Sequence, residues 1–404
     1  MQVKDFASAL RGGRLGALVK IAIKRADDLL AGLRLHLRCS PKPMVLFSVH
    51  NSFGFAAQAP VIRQLLARDR VDVVVTTPTL TAGDLAALCN QHNVATAKIL
   101  PAYRVRHARP SAVVLTEQGS LRLWRTTRWV FLHHGSSFGN LAEPYAFKLL
   151  ESGVAQYLLC LAREERRLGE QYFGGDFATR AVVVGAPKLD ALVIGKFDRA
   201  EFLTALGLDP QKTTILVTSH WTPTSLWRSL DMNALRAGLS RADCNVLVTG
   251  HALLFEAASE LFSGRIDWLA RLRGAFNATN MRVIPPPVDN AILLAVADLL
   301  ISDHSSVTLE FAVLGRPILI YRNPLAPFST AKLEQLWRET ATVFHQPEEL
   351  SERVSAQLHL PIDPAARARL LDYCFDYLGR SAPRAAQALE SLARHGVFPP
   401  DVDL

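Results

Sequence analysis

The stretch DLLISDHSSVTLEFAVLGRPILIY, from Asp298 to Tyr321, decides how the second half of this chain folds. An apolar run at residues 299–301 is followed by a polar turn at 302–306, an amphipathic helical pattern and a second apolar run at 318–321. Two short apolar runs that flank a helix predict a β–α–β unit, whose parallel strands are buried on both faces. This unit predicts an α/β protein.

The polar turn of this unit has the features of an anion-binding site. Ser305, Ser306 and Thr308 lie where the helix is predicted to begin, so unpaired backbone N–H groups, hydroxyls and the positive end of the helix dipole converge there. Phosphate is the usual anion at such a position. Glu310 follows about one helical turn later, where a carboxylate can hold ribose hydroxyls, and Asp303 is predicted to orient the turn. The alternative is an ordinary capped helix.

Similar apolar runs recur along the chain in two sets. The first set covers residues 44–49, 71–76, 113–116, 130–132, 157–161 and 182–184, and the second covers 215–218, 246–248, 281–284, 299–301 and 318–321. Helical patterns, such as those at 56–67, 82–91 and 163–172, separate several of the runs. We therefore predict two consecutive doubly wound, Rossmann-like domains that face a cleft, the architecture called GT-B. Because Gly207-Leu208-Asp209-Pro210 interrupts the pattern, the predicted divisions are 1–40, 41–205 and 206–404.

Composition is that of an ordinary globular protein. The chain has 404 residues, 49% of them hydrophobic and 20% charged, which suits two domains with cores of their own. Its five cysteines are scattered and form no CxxC pair, so we expect reduced core residues and no disulfide framework or zinc site. We expect no signal peptide at the N-terminus, and no run of 18 apolar residues predicts a membrane span.

The N-terminal arm, residues 1–40, carries eight basic and three acidic residues and so holds five of the eight net positive charges. Apolar residues recur at helical spacing from Leu15 to Leu33, with Lys20 and Lys24 opposite them. A basic amphipathic helix of this kind can lie in the headgroup layer of an anionic membrane. The alternatives are a helix that packs on the protein's own surface or in a dimer interface. Nucleic acid is the poorer explanation, because no basic patch with interleaved aromatic residues occurs elsewhere.

Histidines follow several predicted strands. His133 and His134 end one strand of the first set, while His220 and His251 end two strands of the second. Ligands bind at this edge of open α/β sheets, and histidine suits the base that an attacking hydroxyl requires. A protonated histidine with a helix N-terminus can stabilise a departing phosphate without a metal. The one Asp-x-Asp motif, Asp401-Val402-Asp403, lies in the tail, and we expect neither a metal nor another cofactor.

Several motifs resemble one family, the CDP-glycerol glycerophosphotransferases of teichoic-acid and capsule synthesis. The specific motif is Asp303-His304-Ser305-Ser306 with Gly315-Arg316-Pro317, which resembles (S/T)DYSS…F…RP. Weaker matches in the family's order are Val288-Asp289-Asn290 (DIN), His134-Gly135 (WHG), Gly185 to Asp190 (GxPRxD), Ile215 to Trp221 (the APTWR strand end) and His251 (PHP). The resemblance covers residues 128 to 325.

The resemblance implies roles for these residues. The second domain would bind the nucleotide-activated donor. The residues that contact the donor would be Asp289, Asp303, Ser305, Ser306, Thr308 and Glu310, together with Lys188. His134 would be the general base and His251 would stabilise the departing phosphate. His134 is preferred over His133 because it adjoins the glycine that lets the backbone turn into the cleft. The first domain would take the acceptor, with Gly54, Gln58 and His133 facing it.

The resemblance also implies a donor, an acceptor and a location. The donor would be CDP-glycerol or a related compound, and the acceptor a membrane-tethered glycan or lipid at the cytoplasmic face of the cell membrane. The chain departs from the family pattern at four places. After His134-Gly135 it has Ser136-Ser137-Phe138-Gly139-Asn140, where the family often has lysines, and after His251 it has Ala252 in place of proline. His304 stands where the family commonly has tyrosine, and Lys188 stands where it has arginine. The lost basic residues predict a less anionic acceptor or another donor.

Two other functions compete with this interpretation. One is a GT-B glycosyltransferase or a UDP-sugar epimerase, although the epimerases carry a DSGG-type turn where this chain has Asp303-His304-Ser305-Ser306. The other is a non-catalytic, membrane-docked binding protein on the same scaffold. The retained Glu310 and strand-end histidines argue against the latter.

Overall fold

The computed structural model describes residues 26, 41–105, 108–119, 121, 123, 127–135, 145–195, 197–286, 288, 290–326, 330–358 and 360–400. The predicted arm helix, apart from Ala26, lies outside the described residues, as do Asp289, Ser136 to Asn140 and Asp401-Val402-Asp403.

The first domain is built on a seven-stranded parallel sheet with the strand order β3-β2-β1-β4-β5-β6-β7. Its strands are β1 (Met44–Ser48), β2 (Asp72–Thr76), β3 (Lys98–Ile99), β4 (Ala112–Leu115), β5 (Arg128–Leu132), β6 (Tyr157–Cys160) and β7 (Ala181–Val183). The helices up to the second sheet are α1 (Ser52–Arg68), α2 (Ala82–Gln91), α3 (Ala102–Val105), α4 (Tyr145–Glu151), α5 (Arg163–Phe173), α6 (Phe177–Arg180), α7 (Asp190–Ile194) and α8 (Arg199–Ala205), with a 3₁₀ turn at Pro187–Leu189.

The second domain contains a six-stranded parallel sheet with the order β10-β9-β8-β11-β12-β13. Its strands are β8 (Thr213–Val217), β9 (Cys244–Val248), β10 (Met281–Val283), β11 (Leu299–Ser302), β12 (Ile318–Tyr321) and β13 (Thr342–Phe344). The remaining helices are α9 (Leu226–Ser229), α10 (Met232–Gly238), α11 (Glu260–Ser263), α12 (Trp268–Ala275), α13 (Asn290–Val296), α14 (Val307–Ala312), α15 (Ala331–Thr340), α16 (Leu350–Gln357), α17 (Pro364–Cys374) and α18 (Ser381–His395), with 3₁₀ turns at Ala252–Phe255 and Pro347–Glu349.

The central strands form the cores of both domains. In β4, β9, β11 and β12 every residue is buried, because helices cover both faces of each sheet. The prediction of two parallel α/β domains is therefore confirmed. The edge strands β3 and β13 were missed, because they have only two and three residues and are partly exposed.

The last helix does not belong to the second domain. Ala385, Leu389 and Leu392 of α18 are packed in the core of the first domain, and Glu390 forms ion pairs with Arg68 and Arg70. The assignment of all of 206–404 to the second domain is therefore wrong for this helix. Its amphipathic pattern shows that it buries one face, but does not show which domain provides the partner surface.

The link between the domains also differs from the prediction. Helix α8 precedes the predicted division at 205/206, yet its Leu203 is buried in the core that includes Leu216 and Leu247 of the second sheet. Arg199 of the same helix lies 2.7 Å from Asp298, next to the start of β11. The second domain therefore takes in the segment from about residue 199 onward. Within the described residues, no helix is long and apolar enough to cross a membrane.

Candidate active site

The carboxyl ends of the two sheets meet at a cleft of about 550 Å³. Loops after β4 and β5 line it from the first domain, and loops after β8, β9 and β11 line it from the second. Volumes of a few hundred to a thousand Å³ are typical of small-molecule sites. The lining residues are Phe53, Glu117, Gln118, Phe131, His133, His134, Gly135, Tyr145, Thr218, His220, Trp221, Thr222, Gly250, His251, Leu253, Phe262, Asn290, Ser305, Ser306, Val307 and Glu310.

His134 is held in the tautomer that a base requires. Its Nδ1 lies 2.8 Å from the carbonyl oxygen of Thr116, and because a carbonyl only accepts, Nδ1 carries the proton and Nε2 is left with its lone pair. Burial lowers the pKa of His134 below its usual 6.5, while the charge of Glu117 and the bond to Thr116 oppose this shift. The imidazole is therefore neutral near pH 7 and can accept a proton.

His251 and His220 have the opposite tautomer. The Nδ1 of His251 accepts from the backbone N–H of Leu253 at 3.2 Å, and that of His220 accepts from Thr222 at 3.3 Å. In the neutral ring the proton is then on Nε2, so both side chains are hydrogen-bond donors at this atom. Burial, with the charges of His134 and Lys188, lowers the pKa of His251 to about 3, and burial lowers that of His220 well below 6.5.

In the unliganded protein the rings of His220 and His251 are therefore neutral. These rings are neutral donors because their burial disfavours charge. No group of three or more histidine, cysteine or acidic side chains with a metal-binding arrangement occurs among the residues that the structure describes.

Asp303 organises the turn that follows β11. Its carboxylate accepts from the hydroxyl of Ser219 at 2.6 Å and from the backbone N–H groups of His220, Leu226 and Ser305. The side chain is fully buried and is not among the residues that line the cleft. Asp303 therefore positions the loops after β8 and β11, which agrees with the prediction that it orients the turn. The structure gives no support for a direct contact between Asp303 and a donor.

The two serines and the threonine of the turn differ in position. Ser305 and Ser306 line the cleft, and the N–H groups of Ser306 and Val307 have no hydrogen-bond partner among the described residues. Thr308 is buried, and its hydroxyl donates to the carbonyl of Ser305 at 2.7 Å. In the unliganded protein the side chain of Thr308 therefore points back into the turn and does not line the cleft. Helix α14 has only six residues, so its dipole adds less than the free N–H groups.

Lys188 and Glu310 form a buried ion pair between the domains. The Nζ atom lies 2.8 and 3.1 Å from the two carboxylate oxygens, and the side chains are 8% and 3% exposed. Lys188 also lies 3.4 Å from the carbonyl of His134 and 5.1 Å from the ring centroid of Phe53. In the unliganded protein these two predicted donor ligands thus bind each other, although Glu310 lines the cleft.

The neighbouring motif residue Asp190 has a structural role. Its carboxylate accepts from the N–H groups of Ser381 and Ala382 at 3.2 and 2.7 Å. These are the first residues of α18, so the motif that brings Lys188 to Glu310 also fixes the last helix on the first domain.

Of the three residues predicted to face the acceptor, two pack inside the first domain and one lines the cleft. A side chain at Gly54 would lie 2.2 Å from the hydroxyl of Thr116, so this glycine allows α1 to approach β4 closely. Gln58 is fully buried and donates to the carbonyl of Ser48. These two residues therefore pack within the first domain, and neither lines the cleft. His133 does line the cleft, and its Nε2 lies 2.8 Å from the buried Glu165.

Sequence reasoning missed several cleft residues. Phe53 lies between the domains, with ring centroids 6.5 Å from His134 and 5.5 Å from His251. Glu117 accepts from Asn51 at 2.8 Å beside His134. Glu117 closely follows the end of β4, so the rule that located the strand-end histidines applies to it as well. Phe53 lies within α1 and carried no such signal.

Together the fold and the site define a two-domain enzyme of the nucleotide-dependent transferase type, with neutral histidines and a serine turn at one cleft. Residues 34–336 match the family described as CDP-Glycerol:Poly(glycerophosphate) glycerophosphotransferase. The chain belongs to this family, and the expected resemblance is confirmed. No curated protein matches the chain.

Solved structures of similar fold support the two-domain architecture. The wall teichoic acid polymerase TagF aligns with a TM-score of 0.61 at 16% identity, covering 98% of each chain. A TagF variant soaked with CDPG aligns with a TM-score of 0.59 at 17% identity over 97% of each chain. A UDP-N-acetylglucosamine 2-epimerase aligns with a TM-score of 0.56 at 12% identity, covering 88% of this chain and 97% of the other. The predicted GT-B-like fold is therefore confirmed, and at these identities the similarity concerns the fold alone.

Proposed function

We propose that this enzyme transfers glycerol phosphate, or another polyol phosphate, from a CDP-activated donor to a hydroxyl of a membrane-tethered glycan or lipid. The observation that carries the proposal is the arrangement of imidazoles at the cleft. His134 of the first domain presents an unprotonated Nε2, while His220 and His251 of the second domain are protonated at Nε2. One side of the cleft is thus suited to accept a proton and the other to bind phosphate oxygens.

The reaction follows from this arrangement. The Nε2 atom of His134 takes the proton of the acceptor hydroxyl as its oxygen attacks the phosphorus that bears the glycerol. A new phosphodiester P–O bond forms, the P–O bond of the diphosphate breaks, and CMP leaves with the bonding electrons. His251 stabilises the charge on the departing phosphate by donating a hydrogen bond from Nε2, and such aligned donors stabilise a transition state strongly in a water-poor cleft.

The donor's phosphates would bind at the turn after β11. The N–H groups of Ser306 and Val307 and the hydroxyls of Ser305 and Ser306 are donors on that side of the cleft. Glu310 would hold the ribose only if it exchanged its bonds to Lys188 for bonds to ribose hydroxyls. Lys188 would then be released towards the phosphates. Asp289 is a further donor ligand in this proposal, from its place in the family's motif.

The acceptor would be held near a membrane by the N-terminal arm, so that the enzyme acts at the cytoplasmic face. The support is the sequence of the arm, in which basic residues lie opposite an apolar helical face. Deleting residues 1–38 should abolish cosedimentation with vesicles of anionic phospholipid and leave the melting temperature nearly unchanged. A Lys20→Gln/Lys24→Gln variant should bind these vesicles more weakly and with less salt dependence, since part of the attraction is screened by ions. A truncated protein that aggregates or unfolds without cooperativity would show that the arm belongs to the core instead.

The transfer itself is tested with purified protein, CDP-glycerol and lipid-linked glycan primers, by measuring CMP release and glycerol phosphate incorporation. His134→Ala should bind CMP normally but turn over about 10²- to 10⁴-fold more slowly, because it lacks the base. His395→Ala, which changes an exposed histidine of α18, is the matched control and should retain full activity. A His134→Ala enzyme with more than about a tenth of normal turnover would remove this residue from the mechanism.

The same assay addresses the competing functions. Turnover of UDP-N-acetylglucosamine, with none of CDP-glycerol, would replace the proposal by nucleotide-sugar chemistry. Binding of CMP without turnover of any donor would favour a non-catalytic binding protein.

A further inference from the structure

The first domain contributes a carboxylate to the cleft wall beside the proposed base. Glu117 closely follows the end of β4, is half-buried and lines the cleft. The residue before it, Thr116, provides the carbonyl oxygen that lies 2.8 Å from Nδ1 of His134, and the charge of Glu117 opposes the effect of burial on the pKa of His134. Because one short stretch of backbone holds both side chains, the carboxylate lies beside the hydroxyl that His134 deprotonates.

Only one oxygen of this carboxylate is bonded within the described part of the chain. Oε1 of Glu117 accepts from the side-chain amide of Asn51 at 2.8 Å, and Oε2 has no partner among the described residues. An ionised carboxylate accepts on both oxygens, and acidic residues hold the hydroxyls of ribose in this way in nucleotide folds. The second oxygen is therefore available for a hydroxyl of a ligand in the cleft.

Tyr145 adds a hydrogen-bond donor to the same wall. Its oxygen accepts from the backbone N–H of Gln118 at 3.3 Å, which leaves the hydroxyl proton for a ligand. The ring of Tyr145 packs edge-on against Phe131, with the ring centroids 6.0 Å apart, and all three residues line the cleft. A carboxylate acceptor and a phenol donor on one aromatic surface suit a compound with several hydroxyl groups.

The charges of the cleft disfavour an anionic ligand on this wall. The cleft residues that the structure describes include no lysine or arginine, and the sequence of residues 136–140 carries no charge. The ammonium group of Lys188, in the first domain, is paired with Glu310. A phosphate that approached Glu117 would thus meet a like charge, which is a common means of rejecting a wrong ligand. Of the two consequences expected from the lost basic residues, Glu117 favours the less anionic acceptor.

We propose that Glu117 and Tyr145 form the acceptor subsite, that this subsite takes an uncharged sugar or polyol, and that Glu117 excludes hydroxyls close to a phosphodiester. After one transfer the acceptor carries a phosphodiester beside its new terminal hydroxyls. The enzyme therefore does not extend its own product and adds one glycerol phosphate to each acceptor. The inference rests on the proposed function, since it takes the reaction to be phosphate transfer to a hydroxyl.

The subsite is tested by transfer from excess CDP-glycerol to two primers. One is a disaccharide on an uncharged alkyl chain, and the other is the same compound already extended by one glycerol phosphate. The wild-type enzyme should have a kcat/KM at least about tenfold higher for the uncharged primer, and mass spectrometry should show one added unit. Glu117→Gln removes the charge and keeps an acceptor for Asn51, so it should reduce this preference at least about tenfold.

The design separates acceptor selection from other effects. Both primers are measured with the same variant, so a changed pKa of His134 cancels in the ratio. Glu117→Gln should also bind CMP within about twofold of wild type by isothermal titration, well below the effect of losing a bond to a charged group. Tyr145→Phe keeps the ring and should raise the KM for the uncharged primer about 2- to 10-fold, the range for one hydrogen bond. Glu352→Gln, at an exposed carboxylate of α16, is the matched control and should retain the wild-type preference.

The outcomes distinguish this inference from the proposed function. A wild-type enzyme that adds many units, or uses the extended primer as well as the uncharged one, would overturn the inference and uphold the transfer. An unchanged preference in Glu117→Gln would remove this residue from acceptor selection, and a loss of CMP binding as large as the loss of activity would assign it to the donor side or the fold. A wild-type enzyme that transfers nothing to either primer would refute the proposed function, and the inference with it.

Discussion

The buried pair of Lys188 and Glu310 allows a prediction about stability to be worked out from the structure. We expect Lys188→Met to lower the free energy of unfolding by about 3–5 kcal/mol, because it leaves the carboxylate of Glu310 buried without its partner. The two groups are 2.8 Å apart and only 8% and 3% exposed. With an effective dielectric constant of about 20, their attraction is about 6 kcal/mol, most of which offsets the cost of removing both charges from water.

Two further variants isolate the charge effect. Lys188→Met/Glu310→Leu removes both charges at similar volume, and we expect it to be far less destabilised than the single variant, within about 2 kcal/mol of wild type. Arg338→Met is the control, since it breaks a helical ion pair to Glu334 whose side chains are 56% and 31% exposed. We expect it to cost less than about 1 kcal/mol.

The measurement is urea unfolding followed by far-ultraviolet circular dichroism for all three variants. If Lys188→Met cost no more than Arg338→Met, the pair would be solvated in solution, and the reasoning from its burial would be refuted. The same result would follow if the double variant were as unstable as the single one, because the loss would then come from packing and not from the unpaired charge.

The other two predictions concern the phosphate site and the base. The Ser305→Ala/Ser306→Ala variant should bind CMP at least about tenfold more weakly, because hydroxyl bonds to a charged phosphate contribute roughly 1.5–3 kcal/mol; unchanged affinity with an intact fold would move the phosphate away from this turn. Since burial lowers the pKa of His134, kcat/KM should fall on the acid side with a midpoint below 6.5, where the base becomes protonated. Glu117→Gln removes a charge that raises this pKa and keeps an acceptor for Asn51, so the acid side of the pH profile should move to lower pH. A wild-type midpoint at or above 6.5, or a midpoint that does not move in Glu117→Gln, would exclude His134 as the titrating group.

Part of the site is visible in the amino-acid sequence because it depends on where strands end. In parallel sheets the carboxyl ends of all strands lie at one edge, so an apolar run followed by a polar residue predicts a residue at the site. This rule alone assigns His134, His220, His251 and the turn at 302–306 to one cleft. It applies equally to Glu117, which the motifs did not single out.

The sequence by itself determined the two parallel sheets and the motif residues, because burial on both faces and strand-end chemistry are local patterns. Only the tertiary structure decided what each polar side chain bonds. Thr308 turned to the carbonyl of Ser305, Gln58 to that of Ser48, and Glu310 to Lys188, a residue 122 positions away. It also decided that α18 packs on the first domain and not on the second. The physical reason is that a hydrogen bond or a packed face needs a partner at a particular point in space, and the partner's position depends on how distant elements are arranged.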